Sequence, residues 1–376
     1  MKEKLVEKGK SGPVITVIGT RPEVIKLCPV IRAFIDQGVP HKIVHTGQHY
    51  SREMDSLIFE DLFLPAPEYN LKIGSGSHAE ETARALVGLE GLFKKLDPSM
   101  VLVLGDTNST LAGALAASKL HILVGHVEAG LRSFDRDMPE EKNRVLTDHI
   151  SDILFAPTEK SAKNLAFEGI STASTLVTGN TIVDAVNIGL HLIEARSKEV
   201  SVPTKIPDDN FLLLTLHREE NVDSEERLRK ILKGVSLASS KLGTTTVFPA
   251  HPRTIKRIKQ YGIHLSDSIF LTEPQGYLDF LGMERDANLI MTDSGGVQEE
   301  ACILGVPCVT LRRSTERPET LDVGANHLAG LEPEKIVSGA ELMMNAPNSW
   351  NNPFGDGTAG RKIVKAIVQN GWSGLR

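Results

Sequence analysis

Two adjacent glycines, Gly295 and Gly296, stand where a strand-like segment passes into a helix-like one. The apolar run Asn288–Thr292 precedes them, and Val297–Leu304 follows with a helical pattern. Each glycine in a first helical turn costs up to about 1 kcal/mol relative to alanine, so the pair indicates that a ligand approaches the backbone closely. A helix N-terminus offers unpaired N–H groups and a partial positive charge, which favours a phosphate.

Two polar residues extend this motif. Ser294 precedes the glycine pair, and Glu300 lies four residues beyond Gly296, on the same helical face one turn further in. From there its carboxylate is placed to accept hydrogen bonds from sugar hydroxyls. The motif therefore predicts a nucleoside diphosphate whose ribose is held as well as its phosphates.

Three carboxylates in the first half of the chain follow strand-like segments or open a helix. Asp106 comes after Met100–Leu104, Glu128 ends the segment that starts at Ile122, and Glu140 opens a helical pattern. Because the carboxyl ends of parallel strands share one edge of a sheet, we expect these groups to converge on a cleft. Clustered carboxylates shift one another's pKa values and suit acid–base chemistry. Each carboxylate taken alone also fits a structural role, which for Glu140 is a favourable charge in the first turn of a helix.

Cationic residues and histidines also follow strand-like segments. Arg21 and Lys26 follow the first strand-like segment and suit a phosphate or carboxylate contact, with an ordinary surface pair as the alternative. In the second half, His217 and His251 follow strand-like segments, and Arg317 lies in a basic segment after another. We expect these second-half residues to contact a diphosphate.

Short apolar segments alternate with helix-length segments along the whole chain, which predicts βαβ units and parallel sheets. The strand-like segments are Val14–Ile18, Lys42–His45, Met100–Leu104, Ile122–Val127, Ile153–Phe155, Thr175–Val177, Phe211–Leu216, Thr246–Phe248, Ile269–Leu271, Leu289–Met291 and Cys308–Leu311. The expected fold class is α/β, with two doubly wound Rossmann-like domains facing a central cleft. Residues 1–182 form the predicted N-terminal domain, residues 183–358 form the nucleotide-binding domain, and the helix within 359–376 packs back on the first.

Composition excludes several classes of function. The chain has 376 residues, 24% charged and 40% hydrophobic, as in soluble globular proteins. Its formal net charge of −6 argues against a nucleic-acid partner, and no apolar run approaches the roughly 20 residues of a membrane span. Three cysteines without paired spacing predict neither a disulfide framework nor a zinc site, and favour a reducing, cytoplasmic location.

Gly74–Ala79 matches the dinucleotide-binding glycine pattern, but the segment before it is too polar for a central parallel strand. The chain has no Walker lysine loop, and its histidines lack metal-ligand spacing. We therefore expect neither a nicotinamide cofactor nor a metal.

Taken together, the motifs resemble one family, the non-hydrolysing UDP-N-acetylglucosamine 2-epimerases. They cover nearly the whole chain in collinear order and lie at Gly19–Lys26, Gly105–Thr107, Gly125–Arg132, Pro139–Glu141, His217–Glu219, Asp293–Gly296 and Thr315–Pro318. The resemblance implies a glycosyltransferase-B type fold and a homodimer. It implies interconversion of UDP-GlcNAc and UDP-ManNAc without cofactor or metal, by elimination of UDP to 2-acetamidoglucal and re-addition, which supplies sugars for cell-surface polysaccharide.

The resemblance also implies roles for individual residues. The implied UDP-phosphate contacts are Arg21, His217, Ser294, Gly295, Gly296 and Arg317, with Glu300 at the ribose, Lys26 as a further cation, and Gln275 and Phe280 on the uracil side. The implied acid–base residues are Asp106, Glu128 and Glu140, and which of them takes the C2 proton stays open. We expect His217 to be catalytic as well, and His251 to bind the substrate.

The chain departs from the family pattern in two places. Gln48 and His49, candidates for an allosteric site, lie in a segment two residues longer than the usual motif, and Phe134–Met138 lacks the tryptophan often found there. The alternatives are epimerisation of a related UDP-2,3-diacetamido uronic acid, a retaining UDP-sugar glycosyltransferase, and a non-catalytic UDP-sugar sensor.

Overall fold

The chain folds into two compact units, each built on a parallel β-sheet with helices. The computed structural model describes residues 12–47, 52–196 and 210–369. One unit comprises Met1–Ala185 with Phe354–Arg376, and the other comprises Val186–Pro353. The prediction of two parallel-sheet α/β domains is confirmed. The domain boundaries that we propose from sequence lie a few residues from these limits.

The first unit has a seven-stranded sheet in the order β3-β2-β1-β4-β5-β6-β7, with parallel pairs throughout. Its elements are β1 (Val14–Ile18), α1 (Arg21–Asp36), β2 (His41–His45), α2 (Arg52–Asp61), β3 (Tyr69–Asn70), α3 (His78–Leu96), β4 (Met100–Leu104), α4 (Asn108–Lys119), β5 (Leu123–Val127), α5 (Pro139–Ile150), β6 (Ile153–Ala156), α6 (Glu159–Phe167), β7 (Thr175–Val177) and α7 (Thr181–Arg196), which contains the boundary between units. The strand order reverses between β1 and β4, and such switch points bind ligands in open α/β sheets.

The second unit has a six-stranded parallel sheet in the order β10-β9-β8-β11-β12-β13. Its elements are β8 (Phe211–Thr215), α8 (Glu219–Val222), α9 (Glu225–Leu242), β9 (Thr245–Pro249), α10 (Pro252–Gln260), β10 (Ile269–Thr272), α11 (Tyr277–Asp286), β11 (Leu289–Thr292), α12 (Gly295–Leu304), β12 (Cys308–Thr310), α13 (Pro318–Asp322), β13 (Asn326–Leu328) and α14 (Pro333–Met344). The order reverses between β8 and β11, the strand that leads into the glycine pair.

The central strands are buried because their residues are apolar. Every residue of β4 is buried, as expected for a parallel strand covered by helices on both faces. The sequence does not predict two of the strands, β3 and β13. Both lie at a sheet edge, where a short polar segment can pair on one side only.

The last helix, α15 (Ala359–Gln369), belongs to the first unit. Asp184 accepts hydrogen bonds from Ala359 N at 3.1 Å and Gly360 N at 3.0 Å, which anchors the start of this helix. A Cβ on Gly360 would lie 2.7 Å from the backbone of Pro29 in α1, so glycine allows the two helices to pack closely. Among the helices described here, none has the length and apolar character needed to cross a membrane.

Candidate active site

The glycine pair opens α12 as predicted, but its two members face different surroundings. Ser294 is the N-cap and accepts a hydrogen bond from Val297 N at 3.5 Å. A Cβ on Gly295 would lie 2.3 Å from Glu316 Oε1, whereas a Cβ on Gly296 would meet only Ser294 Oγ, at 3.9 Å. Gly295 is therefore required by packing within the protein, and Gly296 leaves the helix N-terminus accessible to a ligand.

We expect Gly295→Ala to destabilise the chain by about 1–3 kcal/mol, because the buried carboxylate of Glu316 must move. That carboxylate contacts Arg218 at 3.2 Å and Arg312 at 2.8 Å. Gly296→Ala is the matched control and should leave stability unchanged or raise it by up to about 1 kcal/mol, since alanine favours the helix. Urea unfolding of both variants measures the difference, and equal losses would contradict it.

Asp293 organises the loop after β8. It is fully buried and accepts hydrogen bonds from His217 N at 3.1 Å, Arg218 N at 3.2 Å and the Asn221 side chain at 3.1 Å. His217 Nδ1 also lies 3.1 Å from Asp293 Oδ1, while the His217 side chain stays 50% exposed. Burial alone would raise the pKa of Asp293, but His217 and Asn221 outweigh burial and hold that pKa below its ordinary value. An ionised Asp293 thus orients a solvent-accessible histidine beside the glycine turn.

Arg317 lies beside the same turn. Its Cζ is 4.0 Å from the position that a Cβ on Gly295 would take, and its Nε is 2.6 Å from Glu299 Oε1. Both side chains of this ion pair are buried. The pair fixes the guanidinium near the start of α12, where it adds positive charge to that of the helix N-terminus.

Glu300, the predicted ribose contact, is 7% exposed and lies next to a second acid, Glu284 of α11. Burial, followed by the charge of Glu300, raises the pKa of Glu284 well above its ordinary value. The raised pKa favours the neutral form of Glu284, the form that can donate a hydrogen bond to Glu300.

Three further predicted contacts lie elsewhere in the second unit. His251 is the N-cap of α10, and its Nδ1 accepts from Arg253 N at 3.2 Å. Gln275 donates to Glu273 O at 2.7 Å, and Phe280 packs partly buried against the core around Val297. Their ligand roles remain predictions.

In the first unit, Lys26 and Glu128 form a buried ion pair. Lys26 Nζ lies 2.5 Å from Glu128 Oε1, and their side chains are only 7% and 5% exposed. Lys26 thus stabilises a buried carboxylate in addition to any ligand role. Arg21, the first residue of α1, precedes Lys26 on the same helix and is partly exposed.

Glu128 also adopts an unusual backbone conformation. Its φ is +70°, in the left-handed region that non-glycine residues rarely occupy and that costs of order 1–3 kcal/mol. Its N–H donates to Phe155 O of β6 at 3.1 Å. The bend carries the carboxylate to the end of β4, where Oε2 lies 3.5 Å from the Cβ position of Gly105.

Asp106, the residue after Gly105, is held by α5. Arg144 donates to its carboxylate through Nε at 3.1 Å and through Nη2, and Asn143 donates to its backbone carbonyl at 2.9 Å. The Asp106 side chain keeps 26% exposure. Glu140 lies in the first turn of the same helix and is partly exposed. The structure thus places Asp106 and Glu128 at neighbouring strand ends, with Glu140 on the helix that holds Asp106.

Comparison with known proteins identifies the family of this chain. A family model described as UDP-N-acetylglucosamine 2-epimerase matches residues 34–368. The chain belongs to this family. The UDP-N-acetylglucosamine 2-epimerase of Methanococcus maripaludis is 53% identical over 359 residues, which are 93% of this chain and 97% of the relative. The resemblance stated from the motifs is confirmed, and the chain is a nucleotide-sugar epimerase.

Two further relatives extend the comparison. The crystal structure of Methanocaldococcus jannaschii UDP-GlcNAc 2-epimerase in complex with UDP-GlcNAc and UDP is 52% identical, with a TM-score of 0.89, and the match covers 94% of this chain and 99% of that one. The UDP-2,3-diacetamido-2,3-dideoxy-D-glucuronate 2-epimerase of Pseudomonas aeruginosa is 40% identical over 95% of this chain and 99% of its own length.

Sequence reasoning gave no role to several buried acids that lie beside the predicted site residues of this epimerase. Asp293 and Glu284 are described above, and Glu23 is a third. It accepts from Gly19 N at 2.9 Å, from Thr107 Oγ1 at 3.0 Å and from Thr110 Oγ1 at 3.0 Å, which joins the ends of β1 and β4. Burial raises the pKa of Glu23 although these hydrogen bonds oppose the rise. The signal was available, because Glu23 lies three residues after Thr20 in a capping-box spacing.

The candidate allosteric residues Gln48 and His49 lie outside the described residues. Their role remains the prediction made from the sequence.

Proposed function

We propose that this epimerase interconverts UDP-GlcNAc and UDP-ManNAc through the residues placed above. The observation that carries the proposal is the pair Asp106 and Glu128, two carboxylates at adjacent strand ends with separate cationic partners, Arg144 and Lys26. Carboxylates in unlike environments suit opposite roles in proton transfer. One accepts a proton while another donates one.

In the proposed reaction, a carboxylate takes the C2 proton and the C2–H electron pair becomes the C1=C2 double bond of 2-acetamidoglucal. The C1–O bond breaks and its electron pair leaves with UDP. A protonated carboxyl group then returns a proton to the opposite face of C2, and a β-phosphate oxygen of UDP adds back to C1. We assign the proton chemistry to Asp106, Glu128 and Glu140.

The second unit supplies the stabilisation of the leaving group in this proposal. Negative charge develops on the diphosphate as the C1–O bond breaks, and fixed donors and cations at that position lower the barrier. Ser294 and the accessible N-terminus at Gly296 bind the phosphates together with His217 and Arg317. We assign Arg21 to a UDP phosphate and Glu300 to the ribose hydroxyls.

The substrate can be tested by incubating the purified chain with UDP-GlcNAc and, in parallel, with UDP-2,3-diacetamido-glucuronate, with product detection by NMR. We expect UDP-ManNAc from the first reaction. Turnover of the diacetamido uronate alone would favour the activity named for the Pseudomonas aeruginosa relative and overturn the proposed substrate.

We also propose a homodimer in the cytoplasm whose product enters cell-surface polysaccharide. The family resemblance supports the dimer and the pathway, and three buried, free cysteines support a reducing compartment. Light scattering after size exclusion should give twice the chain mass of 40.9 kDa, and a single-chain mass would contradict the dimer.

A further inference from the structure

His126, the last residue but one of β5, takes no part in the proposed chemistry, yet both of its ring nitrogens have short contacts. The side chain is fully buried. Nδ1 lies 2.6 Å from Asp148 Oδ1 in α5, and Nε2 lies 2.8 Å from the backbone oxygen of Gly105. A neutral imidazole has one N–H and can donate only one of these two hydrogen bonds.

Neither partner can donate in return. A backbone carbonyl oxygen only accepts. Asp148 already accepts from Gly130 N at 3.1 Å and lies 2.7 Å from Arg132 Nη1. Asp148 is therefore ionised, and each nitrogen of His126 must carry a hydrogen.

The charges around the ring agree with this assignment. Arg132 also binds Glu168, at the end of α6, through Nε at 2.7 Å and Nη2 at 2.6 Å. The cluster thus holds two carboxylates, Asp148 and Glu168, and one guanidinium. A positively charged His126 makes the cluster neutral, whereas a neutral ring would leave the buried Asp148 and the partly exposed Glu168 to share one guanidinium.

The ring links the elements that carry the proposed acid–base groups. Gly105 has φ +72° and directly precedes Asp106, so the hydrogen bond to its carbonyl fixes the turn that presents Asp106. His126 itself lies on β5, two residues before Glu128. Asp148 lies on α5, the helix that holds Asp106 through Arg144 and carries Glu140.

We infer that His126 is a positioning residue for the epimerisation, a buried imidazolium that donates to Gly105 O and to Asp148 and holds Asp106 and Glu128 in reacting geometry. The inference rests on the proposed function for its effect on turnover. The protonation state does not depend on that function.

The protonation state can be read from the unmodified enzyme labelled with 15N-histidine, by long-range 1H–15N correlation at about pH 8, where an unperturbed histidine is neutral. Loss of the signal in His126→Gln assigns it. We expect both His126 nitrogens to show the shifts of an imidazolium. One protonated and one unprotonated nitrogen would overturn the inference, whatever the activity of the enzyme.

The positioning role is tested by kinetics of His126→Gln, whose amide can donate to only one of the two acceptors. A displacement of about 1 Å in a reacting group can cost on the order of 100-fold in rate, so we expect kcat to fall by about 10–100-fold. KM should change by less than about threefold, because the residues assigned to UDP are untouched. His149→Gln, an exposed histidine on α5, is the matched control and should keep wild-type kcat. A wild-type kcat in His126→Gln, or a change in KM alone, would contradict the role.

Discussion

Replacement of Glu128 by glutamine is expected to lower kcat for UDP-GlcNAc epimerisation by about 100- to 10,000-fold, the range in which positioned acid–base groups contribute. A glutamine amide has nearly the shape of the carboxylate but cannot take a proton. Initial rates over a range of UDP-GlcNAc concentrations measure kcat, and UDP affinity from calorimetry should change far less. Activity within about tenfold of wild type would remove Glu128 from the proton chemistry.

The same replacement has a structural consequence that must be separated from catalysis. It leaves Lys26 buried without its anionic partner at 2.5 Å, and removal of one member of a buried ion pair costs about 3–5 kcal/mol. The double variant Lys26→Met with Glu128→Gln removes both charges and should recover much of the unfolding free energy. It should not recover kcat. Recovery of activity together with stability would show that Glu128 acts only through the fold.

Replacement of Asp293 by asparagine is expected to weaken UDP binding and to destabilise the second unit by about 2–4 kcal/mol. The carboxylate accepts from two backbone N–H groups and the Asn221 amide, and buried donors left unpaired cost about 1–3 kcal/mol each. His217 would also lose the acceptor that orients its ring. Calorimetry with UDP and urea unfolding measure the two effects.

The stability difference between wild type and Asp293→Asn should depend on pH in a defined direction. The folded state holds the pKa of Asp293 below its unfolded value of about 3.9, so the carboxylate stabilises the fold fully above that value. The contribution is lost as the pH falls through the lower, folded pKa. The unfolding free energies of the two proteins should therefore converge below about pH 4.

His217→Ala is the matched control for Asp293→Asn. Its side chain is 50% exposed, so its removal should change the unfolding free energy by less than about 1 kcal/mol while weakening UDP binding. Unchanged UDP affinity in this variant would remove His217 from the site.

The sequence predicts the framework of this enzyme well because the framework depends on local patterns. Apolar runs such as Met100–Leu104 can be recognised as buried strands without knowing their neighbours. The edge strands Tyr69–Asn70 and Asn326–Leu328 could not be recognised, because short polar segments form strands only when a neighbouring strand offers pairing. The family assignment rests on several motifs read together.

The partners of the site residues could not be predicted in the same way. Glu128 was identified by its position after a strand, but its pairing with Lys26 joins residues 102 positions apart. The buried cluster of His126 and Asp148 depends on how α5 packs against β5. The sequence likewise explains Gly295 and Gly296 together, by the close approach of a ligand. Only the fold shows that Glu316 occupies the space beside Gly295.

In the proposed reaction, removal of the C2 proton by a carboxylate of the first unit accompanies the departure of UDP from C1. It is tested most directly by incubation with UDP-GlcNAc in D2O, followed by NMR of the sugar at C2. We expect deuterium at C2 in every UDP-ManNAc formed, and deuterium also in the UDP-GlcNAc recovered at equilibrium. UDP-ManNAc that retains the original hydrogen at C2 would contradict it.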